Sequence, residues 1–120
     1  MRHRDSLLEA ALLFGALEPV ATLRQFVVFL YICENEGLNV QELSQVAGLP
    51  QTTASRVARS LGPPESEWAD GARLGLVDAF LNPADSRSHV LRLTAEGRQL
   101  RDELDRLIGR ATPIVLQSPA

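Results

Sequence analysis

Apolar residues recur at helical spacing through the first third of the chain. The stretch "SLLEAALLFGALEP" is rich in Leu and Ala and ends at Pro19, so it predicts a helix over residues 6–18. A second helix is predicted in "TLRQFVVFLYICENEG", with Thr22 as its N-cap and Gly37 as its stop. Its apolar residues at i, i+3, i+4 spacing are Leu23, Phe26, Val27, Leu30 and Tyr31.

The next segment, "NVQELSQVAGLP", predicts a short helix followed by a tight turn. Asn39 is followed three residues later by Glu42, which is a cap-like start, and Gly48 ends the helix. We expect this helix to turn its apolar side chains inward. They are Leu43, Val46 and Ala47.

The segment "PQTTASRVARSL" predicts a helix over residues 51–61 with two different faces. An apolar stripe at i, i+3, i+4 and i+7 consists of Ala54, Val57, Ala58 and Leu61. Burial of that stripe turns a polar, basic and acid-free face outward, which consists of Thr52, Ser55, Arg56 and Arg59. Two short helices around a glycine turn indicate a helix-turn-helix with this one as recognition helix. An amphipathic helix with a solvated charged face fits this segment equally well.

A hairpin and a last helix follow. The runs "LGLVDAF" and "SHVLRLT" contain β-branched and aromatic residues and flank the turn-forming "LNPADSR", so they predict a hairpin over residues 76–93. Thr94 caps the final helix, over residues 94–116, whose apolar stripe is Leu100, Leu104, Leu107 and Ile108. The predicted fold is therefore mainly α with a small β-hairpin wing. It is a winged helix-turn-helix (residues 22–93) with flanking terminal helices.

Four stretches of the chain resemble the MarR-type multiple-antibiotic-resistance regulators. They are "TLRQFVVFLY", "VQELSQVAGLPQTTASRVARSL", "GLV" at residues 75–77, and "NPADSRSHVLRLTAEGRQL". Together they cover about two-thirds of the chain in the family's order, and the combination is more specific than any single piece. The resemblance implies that the recognition helix enters a major groove, that a wing arginine reaches a minor groove, and that the terminal helices of two subunits intertwine. By analogy with the family alone, a small-molecule effector binds between the terminal helices and the winged domain.

The resemblance assigns DNA contacts residue by residue. On the recognition helix these are Gln51, Thr52, Thr53, Ser55, Arg56 and Arg59. On the wing, Arg87 is the DNA contact and Asp85 supports it, as the aspartate-x-arginine pair of the family. Ser86 stands where the family often has another arginine, so this wing is less basic than usual.

The chain departs from the family in "GPPESEWADGAR", an insertion at residues 62–73. Pro63 and Pro64 end the recognition helix, and Glu65 and Glu67 favour a short, exposed and acidic extra helix. Trp68 has two alternative roles here: it anchors the insertion to its own domain, or it contacts a partner protein.

Composition is compatible with DNA as a partner despite a formal net charge of −3 over 120 residues. Residues 71–101 hold five arginines against three acids, and the recognition helix adds Arg56 and Arg59. A modest basic face on an acidic body predicts salt-sensitive binding. Apolar residues near the two ends exceed what one small core covers, which predicts a homodimer. They are Leu7, Leu12, Leu13, Phe14 and residues 114–116.

Other kinds of site find little support in the sequence. His3 and His89 have no Cys or carboxylate neighbours at ligand spacing, and the sequence has no phosphate-binding glycine loop. We therefore expect a protein that binds no metal and no cofactor and that is not an enzyme. Cys33 is interpreted as a small buried thiol rather than a redox sensor. No segment has the pattern of a leader or a membrane span, which predicts a cytoplasmic protein that does not bind membranes.

Two functions remain from the sequence. The first is a transcriptional regulator that binds double-stranded DNA, as a dimeric repressor of a pseudo-palindromic operator. The second is a winged-helix adaptor that binds a protein through the acidic insertion and Trp68.

Overall fold

A computed structural model of the protein describes residues 3–16, 21–69, 73–82 and 84–110. The elements of the described part are α1 (His3–Gly15), α2 (Leu23–Glu34), α3 (Val40–Ala47), α4 (Gln51–Ser60), β1 (Val77–Asn82), β2 (Asp85–Leu93) and α5 (Ala95–Arg110). The predicted winged helix-turn-helix with flanking helices is confirmed. The predicted ends of the two terminal helices, at residues 17–18 and 111–116, lie outside the described residues. No helix of the described part is long and apolar enough to cross a membrane.

Helix α1 begins at His3, earlier than predicted, and packs against α5. Its Phe14 is buried, with its ring centroid 4.9 Å from that of Phe26 and 6.1 Å from that of Phe29. The expectation that Phe14 is surplus to the core is therefore wrong, because two aromatic rings of α2 cover it. Leu7 and Leu12 do remain 60% and 64% exposed.

Helix α2 buries a different face from the one predicted. The buried apolar residues are Phe26, Val28, Phe29 and Ile32, whereas Leu23 is 74% exposed and Val27 is also exposed. Two i, i+3, i+4 stripes exist on this nearly all-apolar helix, and spacing does not distinguish them. The predicted N-cap is confirmed, because Thr22 and Gln25 form a reciprocal capping box. The helix ends at Glu34, before Gly37.

Helix α3 has the predicted capped start and glycine end. Asn39 and Glu42 each accept a hydrogen bond from the other's backbone N–H, and Gly48 adopts a left-handed conformation with φ 67°. Leu43 is fully buried, but Val46 is 45% exposed. The inward orientation predicted for Val46 is wrong, because this eight-residue helix buries only a narrow edge of its surface against α2 and α4.

Helix α4 packs through small side chains. Ala54 and Ala58 are fully buried on it, as is Leu61 immediately after it. A partly buried hydrogen bond also holds it, because the Gln25 Nε2 donates to the Ser60 Oγ over 3.0 Å. The helix therefore has a fixed orientation on α2, and its other face points away from the core.

The hairpin pairs antiparallel from Val77↔Leu93 to Leu81↔His89, with a shift of register before the final pair Asn82↔Asp85. Because β1 extends to Asn82 and β2 begins at Asp85, the connection between the strands is shorter than predicted. Strand β2 is tied to the loop after α2, because the Leu91 N–H donates to the Leu38 carbonyl over 2.8 Å.

Thr94 caps α5 as predicted, and its Oγ1 accepts from the Gly97 N–H over 3.0 Å. The Thr94 N–H donates to the Leu76 carbonyl over 3.0 Å. A Cβ at Gly97 would collide with that same carbonyl oxygen, so the start of α5 lies directly against the chain that enters the wing.

The prediction of an extra helix in the insertion is wrong. Residues 61–69 form successive turns, with the Ser66 N–H bonded to the Pro63 carbonyl over 3.1 Å. The Trp68 N–H donates to the Ser66 Oγ over 3.2 Å, so a side chain takes a bond that a helix would have given to a backbone carbonyl. Glu65 and Glu67 are exposed, as predicted.

Candidate nucleic-acid interface

The outward face of α4 collects the predicted recognition residues. Gln51, Thr52, Ser55, Arg56 and Arg59 line one continuous surface depression. All are exposed except Ser55, which is half-buried, as is the neighbouring Thr53. The helix contains no acid, so the two guanidinium groups give this surface a positive potential.

A second depression joins this face to residues that the sequence analysis did not select. Asn39 and Gln41 from the start of α3 and His89 from β2 line it together with Arg59 and Trp68. From the sequence, His89 is a candidate only for a metal ligand, and it lacks the neighbours for that role. The one sequence signal for its position is strand alternation, which places His89 on the same face of β2 as the buried Leu91.

The Arg59 guanidinium has partners within the protein. Its Nη1 donates to the Trp68 carbonyl over 3.3 Å, and its guanidinium carbon lies 5.9 Å from the centroid of the Trp68 ring. The ring is half-buried and packs against the hydrophobic core. Of the two roles considered for Trp68, this geometry favours anchoring of the insertion to its own domain.

The two wing residues have a described backbone only. Asp85 follows the turn directly and Arg87 lies two residues further along β2, in the stretch where the register shifts. Their side chains lie outside the described part, as does that of Ile108, so the proposed Asp85–Arg87 contact stays a prediction.

Cys33 has the properties of an unreactive thiol. Burial raises its pKa from 9.0 to about 12, although Arg101 lies close enough to oppose part of that rise. The thiol is therefore protonated at neutral pH. Among the described residues, no three His, Cys, Asp or Glu side chains cluster in a way that could hold a metal ion.

The element order and the exposed, acid-free face of α4 define the chain as a winged helix-turn-helix protein. Neither a family model nor a curated protein matches its sequence. Solved structures do match it, and they confirm the resemblance to the MarR-type regulators: the chain has the winged-helix fold of these regulators.

Three of these structures show the extent of the likeness. The PcaV transcriptional regulator from Streptomyces coelicolor is 27% identical, with a TM-score of 0.58, over 89% of this chain and 72% of PcaV. The transcriptional repressor CouR, solved bound to a 23-mer DNA duplex, is 25% identical with a TM-score of 0.60, over 89% of this chain and 64% of CouR. Wild-type MarR from E. coli shares the fold at 24% identity and a TM-score of 0.60, over 90% of this chain and 73% of MarR.

Proposed function

We propose that this protein is a transcriptional regulator that binds double-stranded DNA through the outward face of α4. The observation that carries the proposal is this face itself. Burial of Ala54 and Ala58 leaves hydroxyls, an amide and two arginines exposed on one acid-free helix that follows a tight turn. These groups donate to phosphates and to the base edges of a major groove. CouR, which shares this fold, was solved on a DNA duplex and is a repressor.

Base reading is assigned to Thr52, Ser55 and Arg56, with Gln51 and Thr53 near the start of the helix. Arg56 is exposed on the depression, and among the described residues no hydrogen bond or ion pair occupies its guanidinium. A free guanidinium can donate two parallel hydrogen bonds to O6 and N7 of a guanine.

The proposal includes a homodimer that acts as a repressor on a pseudo-palindromic operator. Leu7, Leu8 and Leu12 are exposed on α1, and a second copy of the chain would cover them. Two-fold symmetry would place the recognition helices about 34 Å apart, one turn of DNA. Sedimentation velocity at micromolar concentration tests the dimer, and a clean monomer contradicts it.

A small-molecule effector completes the proposal. PcaV was solved in complex with its natural ligand, and this chain resembles it at 27% identity over 87% of its length. Away from α4, an apolar depression on α2 is lined by Val27, Leu30, Tyr31 and Glu34. A candidate effector should lower the affinity of the protein for DNA. Thermal shifts measured for the effector with and without the duplex report this coupling between effector binding and DNA binding.

Selection from random duplexes tests the DNA proposal. We expect the wild type to enrich a sequence with two-fold symmetry. Arg56→Ala should cost about 1–3 kcal/mol of binding and relax the preference at one position of each half-site. Arg98→Ala is the matched control, because it removes an exposed arginine that pairs with Glu36 instead. Failure of the wild type to enrich any sequence would contradict the proposal.

The adaptor function draws no support from Trp68, because its ring packs on its own domain and against Arg59. Binding of the protein to random duplexes without any preference, together with capture of a protein through Glu65 and Glu67, would favour the adaptor instead.

A further inference from the structure

The described residues of the insertion, 62–69 and 73, are an integral part of the domain, although none of them lies in a helix or a strand. It returns to the end of α4 through backbone bonds, because the Leu74 N–H donates to the Ser60 carbonyl over 3.0 Å. Gly62 has no space for a side chain, since a Cβ there would lie 2.5 Å from the Cβ of the buried Ala69. The Arg73 Nη1 donates to the Pro64 carbonyl over 3.0 Å. The position of Trp68 relative to α4 is therefore set by packing on both sides of it.

The two arginines of α4 consequently differ. Arg59 lies beside Trp68, bonded to its carbonyl and near its ring face. Arg56 lies on the same depression without such a partner among the described residues. A guanidinium keeps its positive charge in either setting, but bidentate donation to a guanine requires that its planar fork be free to turn toward the base.

We infer that Trp68 is a positioning residue that holds Arg59 at the end of the recognition helix as a phosphate-contacting cation and withholds it from base edges. Arg56 is then the arginine of α4 that reads sequence. This inference rests on the proposed function, and it assigns to the insertion a role in the specificity of binding. The role is to narrow the base positions that α4 reads, with no loss of positive charge.

The contact itself can be tested without DNA. Trp68 is the single tryptophan of the chain, so tryptophan fluorescence reports on this ring alone. Arg59→Ala uncovers the ring, and we expect acrylamide to quench it more efficiently. Arg56→Ala is the control, since it removes the same charge from the same helix, and it should leave the quenching unchanged. Equal quenching in the wild type and Arg59→Ala would overturn the inference.

The effect on specificity is tested by selection from random duplexes with the full chain. Arg59→Ala should keep the wild-type sequence preference. It should lower affinity for all duplexes alike. Raising the salt from 50 to 200 mM should cost this variant about threefold less affinity than it costs the wild type, because the variant lacks one phosphate contact. Trp68→Ala should acquire a preference at one additional position of each half-site, because loss of the ring leaves only the 3.3 Å bond to the backbone carbonyl to hold the Arg59 guanidinium. The double variant should lose that added preference.

Trp68→Phe separates positioning from folding, because it keeps an aromatic face for Arg59 and should keep the wild-type preference. Relaxed preference at one position in Arg59→Ala would overturn the inference while the proposed function stands, since Arg59 would then read a base. An unchanged preference in a folded Trp68→Ala would overturn it too. If the wild type enriches no sequence, the proposed function fails first and this inference fails with it.

Discussion

Substitution of Ser60 should weaken the packing of α4 on α2, because the Ser60 hydroxyl bonds to Gln25 of α2. This hydroxyl accepts from the Gln25 Nε2 over 3.0 Å and donates to the Val57 carbonyl over 2.6 Å. Gln25 is only 6% exposed, so Ser60→Ala leaves a buried amide donor without a partner. That costs about 1–3 kcal/mol. Alanine has the higher helix propensity by about 0.5 kcal/mol, so we expect a net loss of about 0.5–2.5 kcal/mol.

The chain offers a matched control for this prediction. The Ser44 Oγ makes the same kind of bond to a carbonyl three residues earlier, over 2.8 Å to Gln41, but no buried amide donates to it. Ser44→Ala should therefore change stability by less than about 0.5 kcal/mol.

Urea unfolding at one protein concentration, followed by circular dichroism, measures both variants; the concentration is held constant because a dimer would make stability depend on it. Equal stability of Ser60→Ala and Ser44→Ala would refute the reasoning.

Three further predictions concern other parts of the molecule. Gly97→Ala should lower thermal stability by about 1–3 kcal/mol despite its better helix propensity, because the new Cβ meets a backbone carbonyl; Gly15→Ala, with open space around it, should cost nothing. Arg87→Ala should weaken DNA binding with an unchanged melting temperature, and Asp85→Ala should weaken it too if the carboxylate orients that arginine; tighter binding by Asp85→Ala would show that charge alone matters. Cys33 should react slowly with maleimide at pH 8, because its pKa is raised to about 12. Between pH 9 and about 12 the thiol is ionised in the unfolded chain but not in the folded chain, so the wild type should lose stability as the pH rises. Cys33→Ala lacks this thiol, so its stability should fall less steeply over the same pH range.

The sequence by itself determined the elements whose signals are local. Thr22, Asn39 and Thr94 cap their helices as predicted, because each bonds to a backbone N–H only three residues away. Gly48 ends α3 because the left-handed backbone there favours glycine. The polar face of α4 was also predictable, since its alanines leave one apolar stripe and no alternative to it.

Only the tertiary structure decided which of two equivalent surfaces packs and which distant residues meet. Both stripes of α2 satisfy helical spacing, and contact with α3, α4 and β2, together with Phe14 of α1, selected the one that contains Phe29. The contact of Trp68 with Arg59 joins residues nine positions apart in the chain, and the place of His89 on the same depression as Arg59 depends on how β2 packs against the helices. Periodicity reports which residues share a face of their own element, whereas the orientation of that face comes from packing between elements.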